Sequence, residues 1–231
     1  MSLTLDHVIL AVPDLGTGSR ELGDALGVVV EPGGEHPGWG THNAIVRLGS
    51  SYLELIAVND IEQARRRPRG ARLLSLLERG GGWLGFALRA ADLDEAVRDL
   101  RARGMPISDP QAGRRLRPDG VELRWRTAAF EDAMWGGRLP FLIQHDLAPA
   151  ASESEVLTIE VGATDLRMAS AAYEKLLGKS LDGASWRLRD GCTLRLVRAD
   201  TDGLQAVELR GNEARGLTVL GARFGLQVGS T

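Results

Sequence analysis

Glu54 stands in the middle of the apolar run Tyr52-Leu53-Glu54-Leu55-Ile56-Ala57-Val58. On a strand, alternation puts Tyr52, Glu54 and Ile56 on one face and Leu53, Leu55 and Ala57 on the other. A lone carboxylate is costly to bury, so it either points to water or meets a metal, an arginine or a ligand. Its neighbours depend on the preceding hairpin. A two-residue turn at Gly49-Ser50 or Ser50-Ser51 sets Asn43 and Arg47 on the face of Glu54, and a three-residue turn sets His42 there. His36, Trp39 and His42 fall in "EPGGEHPGWGTHN", whose glycines and prolines predict a loop between two strands. Such a loop is either a lid that touches substrate or a surface turn in which Trp39 covers the core. In "VELRWRTA", Glu122, Arg124 and Arg126 share a face. That face is a solvated edge or, if turned to a cleft, one where Arg126 clamps a substrate carboxylate or phosphate.

Other chemistries leave no trace in the sequence. It has no phosphate-binding glycine loop, nucleophile elbow or paired-cysteine metal motif, so no nucleotide cofactor is expected. "RRRPRGAR" reads as a solvated helix end, and Trp83, Trp125, Trp135 and Trp186 read as core. A formal net charge of −3 gives no reason to expect nucleic acid. No apolar run approaches the roughly 20 residues that span a bilayer, and the N-terminus lacks a basic segment ahead of its apolar stretch. The one cysteine, Cys192, excludes an intramolecular disulfide, fits a reducing cytoplasm and reads as a small buried hydrophobe.

The elements that must position these residues repeat. "LDHVILAVPDLGTGSRELGDALG", "GWLGFALRAADLDEAVRDLRARG" and "LTIEVGATDLRMASAAYEKLLG" each give an apolar strand, Asp-Leu, an amphipathic helix and a glycine stop. Asp14, Asp92 and Asp165 sit where a carboxylate caps the free N–H groups of a helix start. Gly27, Gly104 and Gly178 sit where a left-handed C-cap is wanted. The aspartates are 78 and 73 residues apart, the scale of a supersecondary unit. Strand-like runs follow each helix, so each unit reads β-α-β-β-β, with Asp-Gly hairpin turns in "RPDGV" and "LRDGC". The expectation is an α+β fold of repeated βαβββ modules with mixed or antiparallel curved sheets. Residues 1–148 form one domain of two modules, about 3–58 and 82–146, joined by a helical linker. Residues 153–231 form a third module after the small-residue linker "LAPAASESE".

Repeated βαβββ units opening with "LDHVILAVPDL" resemble the vicinal oxygen chelate superfamily of glyoxalase I, extradiol dioxygenases, fosfomycin-resistance enzymes and bleomycin-resistance proteins. With "HPGWGTHNAIVRLGSSYLELIAV", "GGWLGFALRAADLD", "RPDGVELRWR" and "LPFLIQHD", the first two thirds of the chain resemble the glyoxalase-like domain family. The resemblance implies two modules paired around a cleft, with a metal held by the first and last strands of each. It places His7 and Glu54 as ligands from module one and Gln144 opposite Glu54 in module two, with His145 on the other face. Gly85 stands opposite His7 and Thr158 opposite it in module three, so those ligands are missing; Glu208 is a distant analogue of Glu54. An imidazole and a carboxylate suit zinc, iron, nickel or manganese.

The resemblance implies a small-molecule enzyme, a metal-dependent lyase, isomerase or dioxygenase acting on neighbouring oxygens. Glu54 would be its catalytic group, and His42, Trp39, Arg126 and Gln144 would contact substrate. The alternatives are a metal-free pocket, a non-catalytic protein that sequesters a drug or metabolite, or, most plainly, a hydrogen-bonded core His7 with Glu54 paired to Arg47. Module three lacks a pairing module, which predicts that its apolar sheet surface is covered by the other two or by a second copy in a homodimer.

Overall fold

The computed structural model describes residues 2–66, 68–116, 119–130, 137–145 and 154–228. Most of the linker at 147–155, Trp135 and the first half of the "RPDGV" turn lie outside them. Module one consists of β1 (Leu3–Ala11), α1 (Leu15–Leu26), β2 (Glu31–His36), β3 (Thr41–Leu48) and β4 (Ser51–Val58). Two linker helices follow, α2 (Ile61–Arg65) and α3 (Pro68–Leu77). Module two consists of β5 (Gly82–Ala90), α4 (Leu93–Ala102), β6 (Gln111–Leu116), β7 (Glu122–Ala128) and β8 (Phe141–His145). The repeated aspartates cap as their spacing predicts: Asp14, Asp92 and Asp165 accept from the backbone N–H of Thr17, Glu95 and Met168. Gly27 ends α1 in the left-handed conformation, at φ 68°. Much of the loop expected over "EPGGEHPGWGTHN" is strand, because β2 runs through the Pro-Gly-Gly stretch to His36 and leaves only a short turn before Thr41.

The two modules close one barrel in the order β1-β4-β3-β2-β6-β7-β8-β5. Each module contributes one parallel pair, β1 with β4 and β5 with β8, and the modules meet antiparallel at β1–β5 and β2–β6. Closure makes alternation decisive, since every strand then has one face inside and one outside. Outward residues such as Val8, Leu10, Leu53, Leu55, Phe86 and Leu88 belong to the main core. Inside, Ile9, Ala11, Ile56, Leu84, Ala87, Phe141 and Ile143 form a second apolar cluster that Leu73 of α3 joins. Part of the barrel is therefore a solid plug, and the remainder is free to be polar.

The rest of the chain forms β9 (Val156–Ala163), α5 (Leu166–Leu177), β10 (Ser185–Arg187), β11 (Thr193–Arg198), β12 (Gly203–Gly211), β13 (Arg215–Val219) and β14 (Ala222–Val228). This is more than one βαβββ module. The sheet order β10-β11-β9-β12-β14-β13 repeats the barrel segment β3-β4-β1-β5-β8-β7, with the same parallel and antiparallel pairings. The counterparts of β2 and β6, which close the barrel, are missing, so this sheet stays open. By this correspondence Glu208, which pairs with Thr158 as Ala87 pairs with His7, is not the analogue of Glu54. Arg195 stands there instead, opposite Glu160 as Glu54 is opposite Ile9.

The open sheet packs on the barrel through one continuous core. Trp83 of β5 lies against Phe224 of β14 with centroids 4.9 Å apart, and Tyr173 packs on Trp186 at 5.3 Å. The sheet's apolar face is thus covered within the chain, which removes the stated reason for expecting a homodimer. Cys192 is buried, and burial pushes its thiol up. No helix among the described residues is long and apolar enough to cross a membrane.

Candidate active site inside the barrel

The polar part of the barrel is a cavity of about 350 Å3, lined by inward residues of all eight strands. Its chemistry begins with an irregularity in β1. Pairing with β5 jumps from Leu5–Leu88 to His7–Ala87, leaving Asp6 as an extra residue, a β-bulge. The bulge turns Asp6 inward beside His7 instead of outward, and the Asp6 side chain is completely buried. One Asp6 oxygen accepts from His7 Nδ1 at 2.6 Å; the other accepts from Arg89 Nε at 2.7 Å and His145 Nε2 at 2.8 Å. Burial alone would raise this carboxyl, but the hydrogen bonds from His145 and His7 outweigh it and hold Asp6 well below the usual carboxylate range. An ionised Asp6 only accepts, so His7 Nδ1 is the donor and Nε2 is the nitrogen left facing Glu54. The ring is also held by stacking on Tyr52 at 4.6 Å and by the edge of Phe141 at 5.6 Å. The third part of the chain supports the bulge from behind. Before β4 begins its pairing at Tyr52, Leu5 N–H donates to Asp190 at 2.7 Å and the Leu3 carbonyl accepts from Arg189 N–H.

Glu54 faces the same space, with Tyr52 and Ile56 beside it as alternation requires. The β3–β4 hairpin pairs Leu48 with Ser51 across a two-residue turn, so Asn43 and Arg47 share its face. Asn43 Nδ2 donates to Glu54 Oε1 at 2.5 Å, while Arg47 turns to Glu31 at 2.9 Å. Gly33 makes the Asn43 position possible, since a Cβ there would lie 2.0 Å from Asn43 Oδ1. His7 Nε2 stands 3.7 Å from Glu54 Oε2, and His36 Nε2 stands 3.8 Å from Oε1. Burial lowers the His36 pKa, and nearby Arg115 lowers it further, against the pull of Glu54. Trp125 meets His36 edge-on at 6.1 Å.

The structure thus brings together His7, Glu54 and Trp39 among the residues expected at the site, and it moves three elsewhere. His42 is on the outward face of β3, because the hairpin turn has two residues, not three. Gln144 is outward on β8, where its amide accepts from Leu93 N–H and donates to the Ala91 carbonyl at the start of α4. Inside, β8 places Phe141, Ile143 and His145, the reverse of the expected facing. The β5–β8 register sets Phe141 opposite Ala87, which makes Phe141 the counterpart of Glu54. Arg126 is on the solvated face of β7, paired with Asp94 at 2.7 Å. Conversely, Asp6, Arg89 and Arg115 belong to the site or its support without being singled out; Asn43 takes the place beside Glu54 that the two-residue turn gives it, while Trp125, read as core, and His145, read as outward, both line the cavity. The charged Asp6 inside an apolar first strand was the available signal, by the argument applied to Glu54.

The resemblance to the vicinal oxygen chelate superfamily implies a divalent ion at His7 and Glu54. His7 Nε2 faces Glu54 Oε2, while His36 Nε2 faces the other oxygen, Oε1, which Asn43 already occupies, so the two imidazoles do not share one carboxylate oxygen. Module two offers Gly85 and Phe141 where its pair would be, and Gln144 points away. No group of three His, Cys, Asp or Glu among the described residues is placed to hold a metal. Protein sites for such ions ordinarily supply three or four ligands. These residues do not fit a protein-held ion.

One solved structure shares this architecture over nearly its whole length. A "Crystal Structure of a hypothetical protein from Staphylococcus aureus" matches at TM-score 0.81 with 16% identity, covering 98% of this chain and 99% of that one. A methylmalonyl-CoA epimerase from Mycobacterium tuberculosis matches at TM-score 0.47 with 23% identity, covering 62% of this chain and 88% of that one. No curated protein sequence matches. The profile described as "Glyoxalase-like domain" matches residues 5–177, about three quarters of the chain, so the chain belongs to the glyoxalase-like domain family.

Proposed function

We propose that the protein is an enzyme that moves a proton on a small oxygen-bearing molecule held in the barrel, with His7 and Glu54 as the proton-handling pair. One observation carries this reading: an Asp6-oriented His7 Nε2 faces Glu54 Oε2 across 3.7 Å at the wall of the cavity. The gap is too long for a direct hydrogen bond, yet a substrate C–H or O–H set beside it lies within about 3 Å of both groups. His7 takes a proton at Nε2, and the ionised Asp6 stabilises the resulting imidazolium. Glu54 holds or returns a proton at Oε2, while Asn43 occupies Oε1 and fixes the carboxylate's plane. Phe141, Ile143 and Trp125 give the cavity apolar walls that limit water. The reaction class is isomerisation or elimination next to a carbonyl, with no step assigned to a metal.

The test is proton exchange. A panel of small 2-hydroxy, 2-oxo and 1,2-dicarbonyl compounds is incubated in D2O with and without a chelator, and C–H exchange is followed by NMR. Exchange that survives the chelator and falls at least about 100-fold in both Glu54→Gln and His7→Gln is expected. Compounds that bind without exchanging would favour the second reading, a non-catalytic binding protein, which the incomplete pairing of ligands between the two modules supports. Exchange abolished by the chelator would return a metal to the site.

A further inference from the structure

Of the cations in the cavity wall, Arg47 is paired with Glu31 and Arg89 with Asp6. Arg124 is paired with Glu122. Arg115, on β6, has no carboxylate partner among the described residues. Its Nη1 donates to Asn43 Oδ1 at 3.3 Å, and its Nε is buried with no hydrogen-bond partner. Asn43 therefore sits between the two charges, donating to Glu54 with its nitrogen and accepting from Arg115 with its oxygen. This bridge keeps Glu54 and Arg115 from neutralising each other directly, one amide apart on the same wall. Arg115 lines the cavity with no carboxylate among the described residues to neutralise it, so an anionic ligand held there supplies the missing counter-charge. The planar, bidentate match to guanidinium is a carboxylate.

We infer that Arg115 anchors a substrate carboxylate, so that the ligand is a small organic acid whose neighbouring carbon lies beside Glu54 and His7; this rests on the proton-transfer reading above. The cavity sets the size. At about 350 Å3 it lies at the small end of the range for small-molecule sites. Leu123, Ile45 and Trp125 line it with apolar surface suited to an alkyl or aryl tail.

The experiment is calorimetric titration of the full chain with 2-oxo acids of four to six carbons, each beside its methyl ester, and with inorganic phosphate. Acids are expected to bind at least about 10-fold more tightly than their esters. Arg115→Gln is expected to lower acid affinity about 10- to 100-fold, the range of a charge-assisted hydrogen bond, and to shrink the preference for acid over ester to within about twofold. Acids that bind no better than esters overturn the anchor, and that comparison needs no variant. Phosphate that binds as tightly as the acids overturns the carboxylate assignment in favour of a phosphate site. Acid binding without proton exchange would sink the catalytic reading and leave the anchor standing. Exchange of esters as fast as acids would do the opposite.

Discussion

Asp6→Asn keeps the size of a side chain that meets three donors and removes its charge. An asparagine offers one oxygen where His7, Arg89 and His145 require acceptors, and its NH2 must face at least one N–H. Arg89, whose side chain is 21% exposed, loses its carboxylate. Removing one partner of a buried ion pair costs about 3–5 kcal/mol. At about 2–4 °C per kcal/mol for a chain of this size, Tm falls by roughly 6–20 °C. The pH dependence gives a sharper check. The Asp6 pKa is depressed in the folded state, so its stabilisation is fully present above the unfolded value near 3.8 and is lost as pH falls below it. The gap between wild type and Asp6→Asn should therefore be constant from neutrality down to about pH 5. It should then close by at most about 1.4 kcal/mol per pH unit in more acidic solution, the limit for one proton. Guanidinium unfolding from pH 7 to pH 3 measures both. A variant within about 2 °C of wild type at pH 7, or a gap unchanged between pH 4 and pH 3, would refute the account of Asp6 as the charge that organises the site.

Gly113→Ala puts a Cβ 2.3 Å from the Trp125 indole nitrogen, so the ring must shift off His36. About 1–3 kcal/mol of stability and a change in Trp fluorescence are expected. Gln144→Ala removes an amide that meets the start of α4 and nothing in the cavity; about 1 kcal/mol of stability is lost while ligand titrations stay unchanged. Arg126→Ala, which breaks only the pair with Asp94, should likewise leave ligand affinity and proton exchange as in wild type.

The sequence alone determined the local rules. The Asp caps, the glycine stops and the 78-residue repeat defined the modules, because capping and amphipathic spacing act within a few residues. Alternation around Glu54 was legible because one charge among apolar neighbours marks the inward face. The same reasoning did not reach β8, since Phe141-Leu142-Ile143 is apolar on both faces and only the register with β5 fixes which side meets the cavity. For the same reason Gln144 and His145 exchanged sides. His42 depended on a single residue of hairpin length, which moves every side chain of a strand to the other face. Asp6 depended on a bulge, a departure from period two that exists only because β1 pairs with β5. The pairing of Asn43 between Glu54 and Arg115 needed the closed barrel itself, which brings β3, β4 and β6 to one wall from positions 72 residues apart. Residue types dictated which side chains could do chemistry; strand register, set by long-range pairing, decided which of them face each other.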